Sequence, residues 1–197
     1  MIVLGITGGI GSGKTTVSEM FSSIGIPVYN ADIEAKKIME SSEYVKAKIR
    51  SKFGDRAYVN GNLNKNFISE KIFKNKSLLK DINKIVHPEV YSHFSEWQSS
   101  QNSLYVVKEV AILFELKTEN QFNFILTVTA PEEIRIKRII KRDGKSKELV
   151  RSIIDNQLKD SEKIKNSDFV IVNICKEKTL KNVYDIHEKI INSIAKK

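Results

Sequence analysis

Apolar positions in this chain follow two alternating rhythms. Short, nearly unbroken apolar runs occur at Ile2–Thr7, Pro27–Asn30, Leu104–Glu109, Phe124–Thr129 and Phe169–Asn173. Runs of that length and continuity predict central parallel strands covered on both faces. Between them lie stretches in which apolar residues recur every three or four positions. Together the two rhythms predict a three-layer α/β fold around a five-stranded parallel sheet. The first helix is expected from Lys14 to Ser23, with Gly25 closing it as the residue just past its end.

Residues 31 to about 100 show no convincing strand. Val45, Ile49 and Phe53 share a helical face, and Phe53-Gly54 reads as a helix end. Leu78, Ile82 and Ile85, then Val90, Phe94 and Trp97, repeat the spacing, while the polar stretch from Arg56 to Lys65 reads as a loop. A helical insertion of this length between the second and third strands far exceeds an ordinary crossover. The expected organisation is one domain over 1–197, with a helical insertion over 31–100 and a lid over 130–160. After the fourth strand, Thr129 followed by Glu132 reads as a capping box. The helix it opens carries Ile136, Ile139 and Ile140 on one face, Lys137 and Lys141 on a second, and Arg135, Arg138 and Arg142 on a third. Asp143-Gly144 ends it; a further helix is expected to about Lys159, and a last one from Thr179 to Ile194.

The first strand leads into Gly8-Gly9-Ile10-Gly11-Ser12-Gly13-Lys14-Thr15, which fits Gly-x-x-x-x-Gly-Lys-Ser/Thr in a strand–loop–helix setting. This is a phosphate-binding loop, and it names the ligand class: a nucleoside triphosphate with Mg²⁺. Gly8, Gly9, Gly11, Ser12 and Gly13 supply backbone N–H groups that turn inward around an anion, with the loop running on into Thr16 at the start of the helix. Lys14 brings a point charge to the β- and γ-phosphates, and the Thr15 hydroxyl is placed to ligate Mg²⁺. The following helix aims its positive end at the same phosphates.

Composition narrows the class less. Hydrophobic residues make up 41% and charged residues 29% of 197, as in a soluble globular protein. No stretch approaches the ~20 apolar residues of a membrane span. The N-terminal run lacks the basic flank of a secretory signal. A single cysteine, Cys175, precludes an internal disulfide and points to a reducing, cytoplasmic setting. The net charge of +9 suits two different proteins. A nucleic-acid-binding ATPase would use it as a phosphate footprint; a kinase would use a few cations around a polyanionic substrate. No nucleic-acid module and no aromatic-interleaved basic tract is visible, and charge alone does not choose.

Several polar residues are candidates for chemistry, each with a plainer reading beside it. Asp32 lies just past the second strand, at the sheet edge where ligands of parallel sheets sit. It is placed either to take the proton of an acceptor hydroxyl or to cap the next helix. Glu109 ends the third strand, where a carboxylate reaching Mg²⁺ through water is expected, unless it is only a surface glutamate. Arg138 and Arg142 lie one turn apart on a face free of isoleucine; they form either lid guanidiniums for a triphosphate or a solvated stripe. Leu113-Phe114 suits packing on a substrate or on the insertion. His87, before Pro88, suits a substrate contact, a general base or a helix turn, and His187 reads as a core histidine. Three scattered histidines and one cysteine argue against a transition-metal site.

Taken together these residues resemble the dephospho-coenzyme A kinase family over almost the whole chain. The loop residues Gly5 to Thr15 match closely. So do Ala31-Asp32, Phe53-Gly54, Gly61-Asn62-Leu63-Asn64, Ile85-Val86-His87-Pro88, Ile112-Leu113-Phe114-Glu115, Arg138 to Arg142-Asp143, Gln157, and Asp168 to Asn173. The resemblance implies a phosphate-loop kinase that moves the ATP γ-phosphoryl group to the ribose 3′-hydroxyl of dephospho-coenzyme A, with no nucleic-acid or membrane partner. It implies Asp32 as base, Arg138 and Arg142 as lid contacts, His87, Leu113 and Phe114 on the substrate side, and Asn173 near the adenine. The insertion would bind coenzyme A. Against the family's pattern stand Glu109 for a usual Asp, Ala111 for Pro, Lys65 for Arg, Arg135 for a common Gln, and no Gly after Asn173.

Overall fold

The computed structural model describes residues 1–196, apart from the side chains of residues 73, 74 and 76. The chain forms two units: residues 1–30 together with the chain from Gln101 onward, and Ala31–Ser100 between them.

The first unit is built on a parallel sheet. Its strands are β1 (Ile2–Thr7), β2 (Val28–Asn30), β5 (Tyr105–Glu109), β6 (Phe124–Thr129) and β7 (Phe169–Val172), in the order β2-β5-β1-β6-β7. Register aligns Ile6 with Glu109 on one side and with Leu126 on the other. Alternate residues Leu4, Ile6, Tyr105, Val107, Leu126, Val128 and Ile171 point to one face. There they pack on Val17, Met20 and Phe21 of α1 (Lys14–Ser23) and on Val183, Ile186 and Ile190 of α9 (Lys176–Ala195). The other face is tight at Gly5, where a Cβ would fall 2.7 Å from the Phe122 ring and 3.0 Å from Leu113. The expected helix end at Gly25 is a Schellman motif: Ile26 N–H donates to Phe21 O and Gly25 N–H to Ser22 O. His187 is half-buried, its Nδ1 2.9 Å from the Tyr105 hydroxyl.

Three expectations for this unit need correction. Thr129 does not open a capping box: α6 (Glu132–Asp143) starts after Pro131, and no side chain caps it. Thr129 is still in the sheet, accepting the Asn173 N–H, and its hydroxyl donates to Asp160. Pro131 is the cap residue in its place, with φ −50° and ψ 138°, and its carbonyl accepts the Ile134 and Arg135 N–H groups. The helix after Gly144 is shorter than expected, α7 (Lys147–Asp155), and a separate α8 (Asp160–Lys165) follows. Arg135, read as part of an arginine face, is 5% exposed and enclosed by protein.

The second unit is helical, with α2 (Ala31–Ser41), α3 (Glu43–Phe53), α4 (Lys65–Lys74) and α5 (Lys76–Ser99). Side chains of Ser42, Asn64 and Asn75 accept N–H groups at the starts of α3, α4 and α5. The helix α5 packs against the other three and runs unbroken through Pro88. Contrary to expectation, residues 56–65 hold a small hairpin, β3 (Tyr58–Val59) and β4 (Asn62–Leu63). Asn60 and Gly61 at its tip have φ of 50° and 80°, the paired positive values of a tight hairpin turn. No helix among the described residues is long and apolar enough to cross a membrane.

Candidate active site

The site begins where β1 runs out. Residues 8–13 loop over the carboxyl end of the sheet and enter α1 through Gly13, which holds φ 92° and ψ 33°. Only glycine fits there without strain, and a Cβ would also sit 2.0 Å from Asn173 Nδ2. Lys14 folds its ammonium back over the loop, 3.0 Å from Gly8 O and 3.4 Å from Gly9 O. The first-turn N–H groups of α1 lack partners within their own helix, so a positive end and a cation converge at one place. Such a place suits a polyanion.

The loop is held from outside by four side chains. Gln157 Oε1 accepts the Ile10 N–H at 2.8 Å, and Arg135 Nε donates to Ile10 O at 2.9 Å. Arg138 Nη1 reaches Gly11 O and Ser12 O, and its Nη2 donates to Asn173 O at 2.9 Å. Asn173 Nδ2 donates to Ser12 O at 3.0 Å while its Oδ1 accepts the Thr179 hydroxyl. The carbonyls of Ile10, Gly11 and Ser12 are thereby bonded by side chains.

Beside the loop, the Thr15 hydroxyl donates to Glu109 Oε1 at 3.0 Å. Glu109 is 3% exposed, and its Oε2 is buried without a partner. An enclosed carboxylate with a spare oxygen, next to a hydroxyl, is a donor set for a hard cation such as Mg²⁺, which takes oxygen ligands and keeps several waters. Among the described residues no three His, Cys, Asp or Glu gather, so no dedicated all-protein cage competes with this pair. These oxygens fit a hard cation such as Mg²⁺.

The dephospho-CoA kinase family model matches residues 2–178. The chain belongs to the dephospho-CoA kinase family. The dephospho-CoA kinase of Bacteroides fragilis is 36% identical over 173 residues, covering 87% of this chain and 84% of that protein. Protein TT1252 from Thermus thermophilus has the same fold, with a TM-score of 0.88 and 31% identity over 95% of this chain and 96% of that one. The dephospho-CoA kinase of Campylobacter jejuni follows at a TM-score of 0.69 and 25% identity, with the same coverage.

Within this dephospho-CoA kinase relative, the expected residues divide. Gly8, Gly9, Gly11, Ser12, Gly13, Lys14, Thr15 and Thr16 form the loop and the helix start, and Glu109 joins Thr15. Arg138 is on the loop; Arg142 is exposed and bonds its neighbour Asp143 at 2.6 and 2.9 Å. Leu113 is fully buried beside Gly5, and Phe114 is 6% exposed. Asp32 is exposed in the first turn of α2, two residues past β2, and His87 lies half-buried in α5; both belong to the second unit. Sequence reasoning missed Asp160, whose carboxylate takes Arg135 Nη1 at 3.1 Å, and the fully buried Lys163. Lys163 lies 2.8 Å from Glu115 Oε1 as an ion pair off hydrogen-bonding alignment, and that oxygen also accepts the Leu158 N–H. The only sequence signal was that Gln157 and Glu115 belonged to matched motifs.

Proposed function

We propose that the chain transfers the γ-phosphoryl group of ATP to the ribose 3′-hydroxyl of dephospho-coenzyme A, with Mg²⁺, as the last step of coenzyme A biosynthesis. The acceptor oxygen attacks the γ-phosphorus in line, the bond to the β,γ-bridging oxygen breaks, and ADP leaves. Asp32 takes the acceptor's proton. Lys14 and Arg138 offset charge as it spreads over the transferring oxygens, and Arg142 joins them by leaving Asp143. Thr15 and Glu109 would hold the metal, which when bound neutralises charge on the β- and γ-phosphates. His87 contacts the acceptor, residues 31–100 carry the coenzyme A-binding surface, and residues 130–160 form the lid. Asn173 lies near the adenine, as the likeness to the family implies. The enzyme takes small-molecule substrates and works in the cytoplasm, where its single free thiol stays reduced.

The observation that carries this reading is the Thr15–Glu109 pair beside a loop whose cation, Lys14, already leans over the phosphate position. The test is a coupled ADP-release assay with and without dephospho-coenzyme A, run beside shikimate and nucleosides as acceptors. Release should depend on dephospho-coenzyme A; preference for any other acceptor overturns the substrate assignment. Asp32→Asn should lose turnover and keep ATP affinity within a few-fold. A variant holding more than about a tenth of the wild-type kcat removes Asp32 from the role of base.

A further inference from the structure

Arg135 takes no part in the reaction above, yet it is one of the most enclosed charges in the first unit. Its Nε donates to Ile10 O at 2.9 Å and its Nη1 pairs with Asp160 Oδ2 at 3.1 Å. The same carboxylate oxygen accepts the Thr129 hydroxyl at the end of β6. From the other side Gln157 takes the Ile10 N–H at 2.8 Å. Both peptide groups of one loop residue are thus held by side chains that lie 125 and 147 residues away in the chain. Gly9 completes the fit, because a Cβ there would fall 2.1 Å from Arg135 Nη2.

We propose that Arg135, backed by Asp160 and opposed by Gln157, is a positioning residue that fixes the crown of the loop before nucleotide arrives. The proposal rests on the reading of this loop as an ATP site. Four glycines in six residues make residues 8–13 costly to order, since each loses more backbone freedom than any other residue. An anion cradle of converging N–H dipoles also repels itself. Bonds to the outward carbonyls counter both effects, and a loop ordered in advance binds more tightly. The action is geometric: the guanidinium charge is balanced by Asp160, so it adds little net field at the phosphates.

The test is calorimetric titration of the full chain with ADP, alongside steady-state kinetics. Arg135→Met, with wild-type far-UV circular dichroism, should bind ADP about tenfold more weakly, the equivalent of ordering one residue at binding. Its KM for ATP should rise in step, with KM for dephospho-coenzyme A within twofold. Arg135→Lys can reach one partner but not both, and should fall between. Asp160→Asn separates geometry from charge. Removing a negative charge near the loop strengthens anion binding if electrostatics dominate, whereas a loosened Arg135 weakens it about threefold. A folded Arg135→Met within twofold of wild type for ADP, or an Asp160→Asn variant that binds ADP more tightly, overturns the proposal. Should Arg135→Met fail to fold, Arg135→Lys and Asp160→Asn decide by the same criteria. A wild-type protein that binds ADP but leaves dephospho-coenzyme A untouched refutes the kinase reading alone, because the titration needs no acceptor.

Discussion

Gly13 and Asn173 compete for one volume, which makes their energetic coupling calculable. In Gly13→Ala the new Cβ would lie 2.0 Å from Asn173 Nδ2, a separation the amide must yield to. The variant then carries two penalties. The left-handed backbone at φ 92° costs a non-glycine residue about 1–2 kcal/mol. Displacing the amide breaks its bonds to Ser12 O and from the Thr179 hydroxyl, about 1 kcal/mol net each. The sum is about 3–4 kcal/mol for Gly13→Ala. Asn173→Ala loses only the two bonds, about 2 kcal/mol, because Ser12 O keeps Arg138 and the Thr179 hydroxyl keeps Cys175 O. In the double variant the bonds are lost once and the new methyl has room. Its destabilisation should be about 3–4 kcal/mol rather than the roughly 5–6 of simple addition, a coupling near 2 kcal/mol. Native-state hydrogen exchange of the β1 amides, without nucleotide, reads the unit that holds the loop. Additivity within about 0.5 kcal/mol would refute the shared-volume argument.

Two further predictions concern buried cations. Lys108 on β5 is 5% exposed, and burial pushes its ammonium down from an ordinary 10.5 to about 8. Between those values the unfolded chain binds more protons than the folded one, so stability should rise with pH from 8 to 10, by up to about 3 kcal/mol over the full titration. Lys108→Met should flatten that slope in urea unfolding; an unchanged slope places the pH dependence elsewhere. Glu115→Ala leaves the fully buried Lys163 ammonium without its carboxylate and should cost about 3–5 kcal/mol. The pair Glu115→Leu with Lys163→Met should recover most of that loss in thermal melts. No recovery would show that Glu115 matters through its bond to Leu158 N–H instead.

Strand positions were legible because a buried parallel strand leaves an unbroken apolar run, and β1 and β6 match their expected bounds. The loop was legible because its chemistry demands fixed residues at fixed spacing. The hairpin at 58–63 was not, since two-residue strands are too short to show alternation, although Asn60-Gly61 carried its turn signal. Arg135 was misread for a more general reason. A charged residue on an amphipathic helix defaults to solvent, and nothing within one helix reveals a carbonyl 125 residues upstream waiting for it. Thr129 failed similarly: its three-residue spacing to Glu132 suited a cap, but the strand kept its backbone and Asp160 took its hydroxyl.

The braces on residues 8–13 impose an order on the life of the polypeptide. Ser12 O is bonded by an amide 161 positions downstream, and that amide is in turn set by Thr179. A ribosome that has delivered the glycine-rich segment has therefore made a cradle with no hands to hold it. The full set of bonds on the loop carbonyls arrives only with the last strand and the helix after it, so a half-made chain carries the glycine-rich segment without all of its braces.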